Sequence, residues 1–271
     1  MQGGRIQTLE ALKQQVAALE NHPVLTEAER ISASAGPLAT PRGAVQEVFA
    51  DSLVNAGAAL GFALGQARGL LEPARPGLLI AQLKSDLQET GLPYGLGLKQ
   101  FGLDAEAIVL IRTDTIVELL WAMEEAIACR AVAVVVADIA TPHKALDFTA
   151  SRRLALRTAA SGASVFLVRY GRDREASAAK FRWKVEPAQS RAPRFDSRAP
   201  GPPRWRVVLE KGSLGKRRRG AADGQAFVVD WTANGFVLAD EYSRDSAGAE
   251  SVAALPRAAS AALGHRLSET G

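Results

Sequence analysis

Residues 44–71 read AVQEVFADSLVNAGAALGFALGQARGLL. The first part, residues 45–49, is a short apolar run that predicts a buried strand, and residues 56–71 predict a helix. Leu60, Ala63, Leu64, Ala67 and Leu71 fall on one face of that helix, while Gly57, Gly61, Gly65 and Gly69 form a ridge at every fourth position. Each glycine weakens a helix by about 1 kcal/mol relative to alanine, so close approach of the helix backbone to a sheet is the expected compensation. Working outward, residues 78–81 and 108–111 are apolar runs bounded by Gly and Asp, as expected of strands buried on both faces. Thr115 and Glu118 form a capping box ahead of a helix whose Ile116, Leu119, Leu120, Met123 and Ile127 share one side. Residues 132–137 are another buried strand, ending at Asp138; a helix through Arg152, Leu154 and Leu156 follows, then a strand at 165–168. Strand followed by helix, repeated, implies parallel strands with right-handed crossovers, and so a doubly wound α/β sheet.

Beyond Gly171 the period changes to two. Phe181, Trp183 and Val185 alternate in one run, Trp205, Val207 and Leu209 in another and Phe227, Val229 and Trp231 in a third, with Arg182, Lys184, Arg204 and Arg206 among the residues between and beside them, which predicts an antiparallel β extension. The stretch 188–203 is rich in Pro, Arg and Ser and reads as a loop. At the front, Leu9, Leu12, Val16 and Leu19 recur at helical spacing in a short amphipathic arm, and Pro23, Gly36, Pro37 and Pro41 break the chain into a linker. At the back, residues 241–271 are dominated by Ala, Ser and Arg; the segment is either disordered or folds on a partner through Val252, Leu255 and Leu263. The expected division is therefore an arm and linker at 1–40, a core at 41–187, a basic β extension at 188–240 and a tail at 241–271.

Composition limits the function classes. The chain has 271 residues, 47% hydrophobic and 23% charged, values of an ordinary globular protein. Its one cysteine, Cys129, excludes an internal disulfide and is expected to be a buried bystander in a helix. No apolar run approaches the roughly 20 residues that span a bilayer, and the N-terminus carries no charged-then-apolar leader pattern, so a cytoplasmic protein is expected. The net charge of +4 is unevenly spread: residues 1–140 hold 10 basic and 16 acidic side chains, residues 141–220 hold 20 and 6, and residues 221–271 hold 3 and 7. A middle section at +14 points to a polyanion or an acidic protein partner, although scattered surface arginines give the same count.

A strand leading into a glycine-bearing helix is where a nucleotide-hydrolysing α/β protein grips phosphate, with Gly, four residues, then Gly-Lys-Ser/Thr. If Phe49 ends the strand, those four positions are Ala50, Asn55, Ala56 and Gly57, and none fits. Misalignment cannot rescue the motif, because no lysine lies between Lys13 and Lys84. Gly215-Lys216 is a decoy, with Glu210 in place of the first glycine and Arg217 in place of the hydroxyl residue. Asp138, at the end of a valine run, has the look of a magnesium-holding carboxylate, but capping the next helix or standing solvated at a strand end is the plainer expectation. His22, His143 and His265 show no metal spacing. No catalytic constellation, cofactor site or metal site is expected.

The order of these parts resembles the RecA recombinase core over residues 8–186. Glu47-Val48-Phe49 is similar to the strand entering the phosphate loop, Leu78-Leu79-Ile80 to the next strand, Phe101-Gly102-Leu103-Asp104 to the turn before Ile108-Val109-Leu110-Ile111, and residues 132–138 to the strand that carries the metal carboxylate. Ala178-Ala179-Lys180-Phe181 resembles the start of the strand after RecA's second DNA loop, and the arm stands where RecA carries its polymerisation arm. More specifically, Leu119-Leu120-Trp121-Ala122-Met123-Glu124-Glu125-Ala126 is similar to a signature of the ImuA family, as are Arg152-Arg153-Leu154, Phe181-Arg182-Trp183 and Pro203-Arg204-Trp205-Arg206-Val207. The resemblance implies a RecA-like fold and a part in SOS-induced translesion DNA synthesis. The implied partners are RecA, a Y-family-like protein of the ImuB type and, indirectly, an error-prone C-family polymerase, with association with the nucleoid on DNA damage. Both segments corresponding to RecA's DNA loops are short here, which argues against a recombination filament.

Two function classes follow. The first is a non-catalytic adaptor whose partner contacts are Leu9, Leu12, Val16 and Leu19 in the arm and Val252 and Leu255 in the tail. The second is a DNA-binding accessory module using the basic region 141–220, with Lys216, Arg217, Arg218 and Arg219 at a hairpin tip as candidate phosphate contacts. Trp183 and Trp205 are candidate stacking platforms in that second class, or else core residues of amphipathic strands. An active ATPase would require magnesium-dependent hydrolysis from a site without its cation. A cell-division inhibitor is a further class suggested by the grouping of related proteins.

Overall fold

The computed structural model describes residues 38–192, 196, 198–214, 224 and 226–239. Nine strands form one sheet: β1 (Val45–Ala50), β2 (Gly77–Leu83), β3 (Ile108–Thr113), β4 (Val132–Ile139), β5 (Ser164–Tyr170), β6 (Phe181–Ala188), β7 (Arg204–Lys211), β8 (Ala226–Thr232) and β9 (Gly235–Leu238). The helices are α1 (Ala56–Arg68), α2 (Leu87–Thr90), α3 (Gly95–Gln100), α4 (Ile116–Ala128) and α5 (Phe148–Ser161). Strand order is β3-β2-β4-β5-β1-β6-β7-β8-β9. The six strands from β3 to β6 run parallel, and β7, β8 and β9 alternate antiparallel. This is the doubly wound α/β sheet with an antiparallel portion that the residue pattern predicts.

Two of the strands depart from expectation. The strand through Phe181, Trp183 and Val185 pairs in parallel with β1, so the antiparallel portion starts one strand later, at β7. Alternation reports that one face of a strand is wet and says nothing of its partner's direction. The run at 108–111 is not buried on both faces: β3 is the sheet edge, and Val109 and Leu110 are exposed.

Each face of the sheet has its own core. On one face α1 covers Val48, Val134, Val136, Phe166, Trp183 and Val207; on the other α4 and α5 cover Val45, Leu79, Val135, Val165 and Leu167. The capping box of α4 is formed, with Thr115 Oγ accepting from Glu118 N and the Glu118 carboxylate accepting from Thr115 N. The glycine ridge of α1 serves a different neighbour from the one expected. A Cβ at Gly65 would stand 2.6 Å from the Phe236 ring and 3.0 Å from Trp231, and one at Gly61 would stand 3.3 Å from Phe101 and 3.4 Å from Trp205. The glycines therefore admit an aromatic cluster of Phe62, Phe101, Trp205, Trp231 and Phe236, whose ring centroids lie 4.9–6.4 Å apart. Each buried indole N–H finds an acceptor: Trp183 on Gln46 Oε1 at 3.0 Å, Trp205 on Ala58 O at 2.9 Å, Trp231 on Gln100 O at 3.2 Å. Trp183 and Trp205 are thus core residues and present no stacking platform.

Cys129 is a second correction of environment. It is the C-cap of α4, one residue past the last helical turn, and exposed rather than buried. Among the described residues no helix is long and apolar enough to cross a membrane.

Candidate functional site

The positions where a phosphate grip would be built come together at the junction of β1 and α1. Ala50 ends β1 and is fully buried; Ser52 caps a single 3-10 turn at Leu53–Asn55 by accepting from Val54 N; Asn55 then holds the N-cap position of α1 without a side-chain cap bond. Ala56 and Gly57 open the helix, and a Cβ at Gly57 would meet nothing within 4 Å. The side chains here are small and neutral, except for Asp51.

Asp51 is claimed from within the chain. Its carboxylate accepts from Lys184 Nζ at 2.8 Å and from Arg174 Nη2 at 2.9 Å. The Lys184 ammonium, joined by Arg174, holds this carboxyl below the usual aspartate range against an opposing push from burial. Arg174 also donates to Glu210 on β7 at 2.8 Å and to the Gly171 carbonyl. Its guanidinium lies 4.2 Å from the centre of the Phe49 ring, where Arg169 and Arg182 also gather at 5.3 and 5.6 Å. Beneath them Glu47, buried on β1, accepts from Ser177 Oγ and Arg182 Nε, each at 2.8 Å, and pairs with Arg169 at 3.5 Å.

These pairs hold down residues 171–180, the link from β5 to β6. Gly171 N bonds Ala50 O, Ala178 N bonds Ser151 Oγ, and Lys180 N bonds Val45 O, so the link runs back along β1 on the α5 face. A crossover of this length has no helix of its own. Its backbone polar groups are met partly by the backbone of β1 and partly by side chains, and the carboxylates under it are met by side chains.

Asp138 lies on β4, two strands from β1, with β5 between. It is neither a helix cap nor a solvated strand end. The cap of α5 is Asp147, which accepts from Ala150 N at 2.7 Å. Asp138 is buried, accepting from Tyr170 Oη at 2.6 Å and Gln82 Nε2 at 3.0 Å. Burial lifts its carboxyl above the ordinary aspartate range in spite of those two bonds, and the Tyr170 phenol is driven far upward by burial and by the neighbouring carboxylate. The adjacent Asp86 accepts from the Ala140 backbone N at 2.8 Å and from the Thr141 side-chain Oγ1 at 3.1 Å. His143 stands in the loop that follows β4, and among the described residues no group of His, Cys, Asp and Glu has a metal-holding arrangement.

Arg174, Lys184, Asp51 and Glu210 come from four separate places in the sequence, and only the fold brings them together. The one signal available beforehand was an aspartate directly after the first strand. Leu9, Leu12, Val16, Leu19, Val252, Leu255 and the cluster Lys216, Arg217, Arg218 and Arg219 lie outside the described residues.

No family model matches the chain. Protein ImuA of Caulobacter vibrioides, from strain NA1000 / CB15N and again from strain ATCC 19089 / CIP 103742 / CB 15, is 35% identical to it over 154 residues, which are 53% of this chain and 59% of the relative. The chain thus spans rather more than half the length of these curated relatives. Over those 154 residues, the chain is similar to Protein ImuA.

Proposed function

We propose that this chain is a non-catalytic adaptor in SOS-induced translesion DNA synthesis, joining RecA to an ImuB-type protein and, through the latter, to an error-prone C-family polymerase. The observation that carries the reading is the internal pairing of Asp51 with Arg174 and Lys184 at the β1–α1 junction. Phosphoryl transfer depends almost wholly on positioned cations. Here the nearby cations answer a carboxylate of the same chain, and Ala56 offers no ammonium. Similarity to ImuA supports the pathway. In this reading the arm at 1–40 and the tail at 241–271 reach the partners from a core at 41–187 and its extension at 188–240, in the cytoplasm and on the nucleoid after damage.

The test is co-purification with RecA and with an ImuB-type protein, comparing the intact chain with versions lacking residues 1–20 or 241–271. The intact chain is expected to retain both proteins and each shortened version to lose one. Retention of neither by any version would sink the adaptor, and magnesium-dependent ATP hydrolysis by the pure chain would revive an enzyme. The rival class, a DNA-binding module in 141–220, draws less support from the ion pairs. Arg169, Arg174, Arg182, Lys184, Arg204 and Arg206 already have carboxylate partners. Salt-dependent binding of single strands by the isolated chain would favour that rival.

A further inference from the structure

Helices α4 and α5 lie side by side on one face of the sheet, tied across their seam by Arg153 and Arg157 of α5, which share the carboxylate of Glu124 on α4. Val117 and Trp121 precede Glu124 by seven and three residues, so helical geometry puts them on the same side of α4, bordering that seam. Both are two-thirds exposed, at 66%. On α5, Leu156 stands three residues after Arg153 and one turn after Arg152, and is 64% exposed. The seam therefore has an apolar wall on α4 and a basic wall on α5.

The basic wall is not neutralised. Residues 148–161 contain Arg152, Arg153 and Arg157 and no acidic side chain. Glu124 answers two of these with a single charge, and Arg152 has no partner among the described residues. At the C-terminal ends of the two helices the seam opens into a hollow of about 440 Å³ whose lining includes Arg75 and Arg130. An exposed indole beside aliphatic and guanidinium groups has the composition of a binding hot spot, and a groove between helices accepts an amphipathic helix by its apolar face.

We infer that the α4–α5 groove docks an acidic amphipathic helix of a partner protein, with apolar anchors seated on Trp121 and Leu156 and carboxylates on Arg152 and the Arg153–Arg157 wall. The inference rests on the adaptor reading and names the surface it uses. The test measures affinity of the intact chain, and of full-length Trp121→Ala, Leu156→Asp and Arg152→Glu variants, for RecA and for an ImuB-type protein at low and high salt. All three positions are exposed, so near-UV circular dichroism is expected to stay native. Trp121→Ala and Leu156→Asp are expected to weaken one of the two partners by about tenfold or more, and Arg152→Glu to weaken the same partner and flatten its salt dependence.

If the intact chain binds a partner and all three variants bind it equally, the groove assignment fails while the adaptor stands. If the intact chain binds neither, the adaptor fails and takes the groove with it. Two other occupants would also overturn the inference. A second copy of this chain would show as a dimer in sedimentation that Trp121→Ala dissociates. The chain's own arm would show as a rise in acrylamide quenching when Leu12→Asp is introduced, because Trp121 is the exposed one of the four tryptophans.

Discussion

At the scale of single residues, Asp138 is a buried carboxylate whose surroundings oppose its charge. Its folded pKa is raised by burial, so the native state holds the proton more tightly than the unfolded chain does. The sign follows directly. The stabilisation from protonated Asp138 is complete below the ordinary aspartate range and is lost as pH rises through the raised folded value. Asp138→Asn is neutral throughout and loses nothing over that window. Urea midpoints of the two proteins, taken from about pH 4 to about pH 8, are therefore expected to converge or cross in favour of the variant as pH rises. Any fixed cost of setting an amide beside Tyr170 and Gln82 displaces the curves without changing their difference in slope. Asp51, whose pKa is lowered, contributes with the opposite sign, stabilising above the ordinary range, but does so equally in both proteins. Parallel curves would mean that Asp138 titrates as it does in the unfolded chain.

At the scale of elements, α1 separates two meanings of a helical glycine. Gly65→Ala gains about 1 kcal/mol of helix propensity, yet its Cβ would stand 2.6 Å from a Phe236 ring that Phe62, Trp205 and Trp231 hold at 5.0–5.4 Å between centroids. Overpacking of this kind costs about 1–3 kcal/mol, so a net loss of Tm is expected. Gly57→Ala, with open space at its Cβ, is expected to hold or raise Tm. Thermal melts of the two variants decide, and a gain at both positions would show the aromatic cluster to be loose. The residues of β1, β2, β4, β5 and α4 were readable in advance because burial on both faces and a capping box are local patterns. The edge position of β3, the parallel pairing of β6 and the exposure of Cys129 were not, because each depends on which element arrives next to it. The same holds for the site: Ala50, Asn55, Ala56 and Gly57 could be singled out from spacing, whereas the Arg174–Asp51 pair joins residues 123 apart.

At the scale of the whole molecule, composition marks a change near residue 188, but the sheet runs through it: β6 pairs β1 on one side and β7 on the other. The aromatic side chains of β7, β8 and β9 lie on α1, which also covers β4, β5 and β6. Burying Trp205, Trp231 and Phe236 removes about 450–750 Å² of surface from water. At about 25 cal/mol per Å² this is on the order of 10 kcal/mol, comparable with the roughly 5–15 kcal/mol that holds a domain together. A chain ending at residue 188 would uncover the glycine face of α1 and the side of Phe62 that Phe236 covers, and would leave β6 as an unpaired edge. It is expected to bind a hydrophobic dye strongly and to lose its near-UV circular dichroism, while the full chain unfolds in one transition. The extension is then a wall of the core, and the groove proposed between α4 and α5 depends on it at a distance through the stability of the sheet. A fragment at 38–188 with native near-UV signal and no dye binding would instead make the last three strands an independent addition.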